Sequence, residues 1–207
     1  MIRFVFIVGF ASLLVGQTLF AQKPCNCNVF SASEDVLDSL IDVLDLIQTE
    51  QKTTELIEQN NEVCKVMGYY YLTLIHLKKA QQDSALTYIN LQEEILKQAS
   101  CKNSIANYLY SKGLAEYHFL NNDYENALDF SLKSLEVAQE IKDPKRLAEG
   151  NLKVASILMR MKLPERYRNY VVDARKNIDL MPESNKKYML YTKILKNLNT
   201  LILLMFC

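Results

Sequence analysis

Residues 72–95, LTLIHLKKAQQDSALTYINLQEEI, and residues 114–137, LAEYHFLNNDYENALDFSLKSLEV, decide the reading of this chain. Aligned at an offset of 42, Leu72, His76, Asp83, Ala85, Leu86, Tyr88, Glu94 and Ile95 fall on Leu114, His118, Glu125, Ala127, Leu128, Phe130, Glu136 and Val137. A further offset of 40 carries Leu114, Ala115, Phe130 and Ser134 onto Val154, Ala155, Tyr170 and Ala174. A fixed period of this size marks stacked supersecondary units.

Each unit reads as two helices. In the second, Ile105, Leu109, Leu114 and Phe119 lie near helical spacing, and Ala127, Leu128, Leu132, Leu135 and Ala138 do so again. Asn122 with Glu125 is a capping pair for the second of these helices. Asp143-Pro144 opens the next unit, because Asp can accept from free first-turn amides and Pro at the first helical position loses no partner. Leu163-Pro164 repeats that logic, and Met181-Pro182 ends the unit.

These units resemble the tetratricopeptide repeat. The second supplies Leu114, Ala115, His118, Tyr124, Ala127, Ser131 and Ser134 at the family's packing places. The first supplies Tyr69, Leu72, Thr73, His76, Ala85, Ile89 and Gln92, and the third Val154, Ala155, Leu158, Tyr167, Val171 and Ala174. The resemblance implies an all-α fold, an α-α superhelix in which antiparallel helix pairs stack as a solenoid, over about three pairs in residues 62–183. Tyr167 stands where the family keeps a small residue, so that pair is expected to splay or to cap the stack. The spacing exceeds the family's usual ~34 residues, which implies longer second helices.

The family lines its concave face from the first helices. Carried over, the lining is Tyr70, Leu74 and Lys78, then Lys112, Glu116 and Phe119, then Leu152, Ser156, Met159 and Arg160. Aromatic anchors with a few charges suit a protein or peptide segment. The carboxylate clamp of some members wants Lys and Asn one turn apart, whereas Lys112 is followed by Glu116.

Outside the repeats, residues 33–61 read as a helical start, with Ser33 as cap and Val36, Leu37, Leu40, Ile41, Leu44 and Ile47 on one face. Residues 184–207 read as a last helix with an apolar tail, Leu201 to Cys207. Residues 1–21 have the charged start (Arg3), apolar middle and small end (Ala21) of a secretory signal peptide, followed by a flexible leader over 22–32. The alternatives are an uncleaved anchor, since Phe4 to Ala21 is close to the ~20 residues that span a bilayer, and a lipoprotein modified at Cys25. Membrane contact is expected only through residues 1–21 or the apolar tail. The expected location is periplasmic or secreted.

Lys+Arg and Asp+Glu are both 24, a balance that argues against nucleic acid as partner. The five cysteines are Cys25, Cys27, Cys64, Cys101 and Cys207. Export permits disulfides; Cys64 and Cys101 either bridge or stay as small buried thiols, and no zinc spacing is present. His76 and His118, one repeat apart, read as packing rings or as a metal- or pH-sensing pair. The chain carries no phosphate-cradling Gly loop and no nucleophile elbow. Of Tyr69-Tyr70-Tyr71, at least one ring is expected in solvent. No catalytic residue, metal or small-molecule cofactor is predicted. The functional expectation is an exported scaffold that binds a protein or peptide in a concave groove. The alternative is the extracytoplasmic sensory input region of a bacterial signalling or transcriptional regulatory protein, whole or truncated.

Overall fold

The three repeat units end their first helices in the same way, and that turn sets the architecture. A computed structural model describes Cys27 and residues 30–59, 61–99 and 103–206. Among them run nine helices and no strand: α1 (Phe30–Asp42), α2 (Leu46–Ile57), α3 (Glu62–Lys78), α4 (Gln82–Gln98), α5 (Ser104–Leu120), α6 (Tyr124–Ile141), α7 (Pro144–Arg160), α8 (Pro164–Asp179) and α9 (Asn185–Phe206). The protein is all-α. None of these helices is long and apolar enough to cross a membrane. The predicted signal peptide, Cys25, Cys101 and Cys207 lie outside the described residues.

After α3, α5 and α7 the chain enters the left-handed region at Ala80, Asn122 and Lys162, with φ of 56°, 60° and 57°. The next amide donates back five residues, Gln81 to His76 O at 2.8 Å, Asp123 to His118 O at 2.9 Å and Leu163 to Leu158 O at 2.9 Å. This is the Schellman ending, which satisfies carbonyls that the finishing helix leaves open. It reverses the chain, so α4, α6 and α8 each fold back on the helix before. The 42- and 40-residue offsets of the sequence are thus offsets of structure.

The small and medium positions singled out in the repeats are buried in all three hairpins: Thr73, Ala115 and Ala155; Ile89, Ser131 and Val171; Gln92, Ser134 and Ala174. Small side chains there let paired helices approach. In the first hairpin Gln92 Nε2 donates to Thr73 Oγ1 at 3.2 Å, which fills a place that alanine or serine takes later. Ala85, Ala127 and Tyr167 form a fourth such row, all at 0% exposure. The third hairpin does not splay around Tyr167; α7 and α8 pack about as closely as α5 and α6, with the ring enclosed in their shared core.

Other expectations need correction. Residues 33–61 are two helices, broken where Leu44 takes φ 61°. Ser33 lies inside α1 rather than before it. Of the proposed apolar face only Leu37 and Ile41 are buried, while Val36, Leu44 and Ile47 are exposed, because the break turns α2 onto a different face. The cap of α6 is Asp123, whose side chain accepts from the Asn126 amide; Asn122 is needed in the turn before it. First and second helices share the extra repeat length, at 17 and 17, 17 and 18, and 17 and 16 residues. None of the three successive tyrosines is solvent-exposed: Tyr70 and Tyr71 are buried and Tyr69 stacks on Tyr88 at 5.9 Å. Neighbouring helices on several sides, α1, α2, α4 and α5, cover most of α3 and leave Tyr69 half-buried.

Cys64 bonds to Cys27, with Cα atoms 5.1 Å apart, so neither the pairing with Cys101 nor a free Cys64 thiol holds. Asn61 caps α3 by accepting from the amides of Val63 and Cys64, which places Cys64 in the first turn, where the leader can reach it. The bond fastens the chain just before α1 to the first repeat helix.

Candidate functional site

Eight of the ten carried-over lining residues, Tyr70, Leu74, Lys78, Lys112, Glu116, Phe119, Leu152 and Ser156, wall one cavity of about 630 Å³. The remaining two do not. Met159 packs against the core shared by α7 and α8, and Arg160 is exposed at the last residue of α7. Leu190 and Lys193 of α9, which packs on α7, stand in the wall instead.

Several wall residues were not foreseen. Tyr108 and Glu149 lie one helical turn before the carried-over positions on α5 and α7, a signal that the i, i+3 and i, i+4 rule offers. Asp38, Ile41 and Asp42 of α1 and Lys186 of α9 carry no repeat signal, since neither helix belongs to a repeat.

Several charged groups of the cavity are joined to each other. Lys112 Nζ lies 2.7 Å from Glu149 Oε2, and Lys186 Nζ lies 3.0 Å from Glu149 Oε1. Lys153 Nζ lies 2.5 Å from Glu116 Oε2 and 4.1 Å from the centre of the Phe119 ring. Lys112 also faces the rings of Tyr70 and Tyr108, at 5.7 and 5.5 Å. Such cation–ring contacts gain strength where water is thin. Burial opposes the charge on Lys112, but Glu149 and the two phenolic rings outweigh it and hold its pKa well above the ordinary range. Burial likewise opposes the charge on Glu149, and Lys112, Lys186 and Lys145 overcome it, leaving the carboxyl well below its usual value. Glu116 is lowered in the same way, against burial, by Lys153. Tyr108 is pushed far up by burial, and its hydroxyl has no hydrogen-bond partner.

A second set of pairs ties α1 across the molecule. Arg146 Nη2 lies 2.7 Å from Glu34 Oε2, and Lys145 Nζ lies 3.0 Å from Asp38 Oδ2. Lys186 Nζ lies 3.3 Å from Asp42 Oδ2. Tyr71 donates its hydroxyl hydrogen bond to Asp38 Oδ1 at 3.0 Å. Glu34 differs from the other acids: burial outweighs Arg146 and Lys145, and its pKa rises.

The histidines stack within their own hairpins, His76 on Tyr88 at 5.2 Å and His118 on Phe130 at 5.4 Å. Each Nδ1 meets the residue five places on, Gln81 at 2.7 Å or Asp123 at 2.9 Å. Packing rings describe both. Among the described residues, no group of three or more His, Cys, Asp or Glu is placed to hold a metal ion.

No protein-family model, no curated protein and no solved structure matches the chain, so its family stays an expectation carried by the repeat positions alone.

Proposed function

We propose that this chain is an exported scaffold of the tetratricopeptide type, a superhelical stack of helix pairs that holds a segment of another protein. The observation that carries the reading is the gathering of Tyr70, Leu74, Lys78, Lys112, Glu116, Phe119 and Leu152 around one cavity. Its lining mixes apolar and aromatic side chains with many charged ones, a make-up that suits a protein segment carrying both. Lys112, Lys153 and Lys186 are already paired with Glu149 and Glu116 inside, which suits holding a ligand better than moving protons or electrons through one. Export is supported by the Cys27–Cys64 bond, because such bonds persist in oxidising compartments and are rare in the cytosol.

The test uses Leu120, which lines the cavity and is 47% exposed. A photo-reactive phenylalanine analogue at that position, irradiated in native envelope extract, is expected to give a discrete cross-linked product. Phe119→Ala should remove the product while helicity by circular dichroism stays unchanged. A product pattern identical with and without Phe119 overturns the reading. Tyr70 is unsuited to this test, since it is enclosed in the core and its loss would disturb the fold.

A further inference from the structure

Charge inside the 630 Å³ cavity is divided by level. Lys112 and Glu116 of α5 meet Glu149 and Lys153 of α7, four residues apart on both helices, so α5 and α7 run in the same direction. Lys186 meets Glu149 and puts the start of α9 at the Lys112 level. Acid and base answer each other there. Asp38, Asp42 and Glu149 stand against Lys112 and Lys186, and Lys145 reaches Asp38 as well. α1 closes this end, with Leu37 and Ile41 in the core.

Further along the helices the balance fails. The wall there carries Lys78, Lys153 and Lys193, with Glu116 as the carboxylate among its described residues. Lys153 takes Glu116. Lys78 and Lys193 are exposed and make no ion pair among the described residues. Against burial, Lys153 first, then Lys112 and Lys193, hold the Glu116 carboxyl low, so the field of Lys193 reaches the same space. Helix ends account for Lys78 alone. It is the last residue of α3, where a cation faces the negative pole, whereas Lys153 and Lys193 lie inside α7 and α9, away from any pole. Apolar surface stands between the lysines. Lys153 lies over the Phe119 ring, and Leu120 on the next position of α5 is exposed.

We infer that this open end of the cavity selects a segment of a partner protein in which a bulky apolar residue is flanked by Asp or Glu. The apolar side chain lies on Phe119 and Leu120, and the carboxylates answer Lys78 on one side and Lys193 on the other. The order of the helices supplies that pattern, since α5 packs on α3, bonds to α7, and α7 carries α9. Carboxylates brought to two uncompensated lysines gain attraction, whereas a basic segment meets like charge, which costs affinity and excludes it. α1 stays where it is. The inference rests on the reading of the cavity as a recognition groove and names the chemistry of the segment it takes.

The probe is a bead-bound library of short random peptides with amide C-termini, screened against the full chain. Retained peptides should be enriched in Asp or Glu on either side of Leu, Phe or Met. The most enriched peptide, made in soluble form, should bind a chain carrying Lys78→Glu and Lys193→Glu at least about tenfold more weakly than the native chain. A chain carrying Lys52→Glu and Arg168→Glu, exposed positions outside the cavity, changes net charge equally and should bind as the native chain does. If the reversed chain loses native helicity, Lys78→Gln with Lys193→Gln is read in its place, with binding at least about threefold weaker expected. No retained peptide, retained peptides without an acidic surplus, or equal binding by the native and altered chains overturns the proposal. Failure here with a Phe119-dependent cross-link intact removes the acidic and apolar pattern and leaves the groove; failure of both removes the groove.

Discussion

Lys112 of α5 and Glu149 of α7 meet at 2.7 Å across the joint between the second and third hairpins, with 22% and 11% of their side chains in water. A pair this far from solvent is worth less than its contact suggests, because both charges have been desolvated. Removing one partner is a different matter. Lys112→Met leaves Glu149 to Lys186 alone and is expected to cost about 3 kcal/mol, a fall of roughly 6–12 °C in Tm for a chain of this size. The double variant Lys112→Met with Glu149→Met should recover most of that loss in thermal melts. A double variant no better than the single one contradicts this account.

Acid should act in two stages of opposite sign. Glu34 has a raised pKa, so the folded chain takes up its proton more readily than the unfolded chain does. Its contribution to stability therefore rises as the pH falls through its raised value toward the ordinary 4.5. Glu149 and Glu116 are lowered, so the stability they contribute is present above 4.5 and is lost as the pH falls through their depressed values. Thermal melts across pH should hold or gain slightly in mild acid and then decline steeply. Glu34→Gln should remove the mild-acid gain, and Glu149→Gln should shallow the decline.

The shared turn predicts a gain of stability. Ala80 and Lys162 hold a left-handed backbone that glycine adopts without steric penalty and other residues resist. Ala80→Gly and Lys162→Gly should each stabilise the chain by about 0.5–1 kcal/mol in denaturant titrations. Asn122→Gly should gain less, since asparagine tolerates this conformation. A loss at Ala80 would mean that its side chain has a packing role, at odds with its exposure.

The repeat was legible because its information is local. Leu72 and Leu114, Ala85 and Ala127, or Asp143 before Pro144 can be read from spacing, and each sits where that spacing puts it. The turn was misassigned by a single residue: Asn122 and Asp123 both cap helices well, and only the left-handed backbone demand assigns Asn122 to the turn and Asp123 to the cap. The cavity was legible on α3 and α5 and through the middle of α7. It failed at Met159 and Arg160, where α9 replaces the repeat as wall. The bridge from Glu34 to Arg146 spans 112 residues, and that of Asp42 to Lys186 spans 144. Nothing in the local pattern of FSASEDVLDSLID distinguishes carboxylates that meet cations from carboxylates that meet water. The Cys27–Cys64 bond was hidden for the same reason, since its geometry depends on where α1 lies.

Arrays of stacked hairpins ordinarily fray from their ends, because each unit touches only its neighbours and can melt nearly alone. The crossing of α1 to α7 and α9 breaks that independence. The first helix reports to the last, so loss of either terminal element bares charges on the other. Unfolding should then proceed as one event: amides of α8 and α3 should exchange with similar protection, and the denaturant slope should match the surface of the whole array rather than that of a single hairpin.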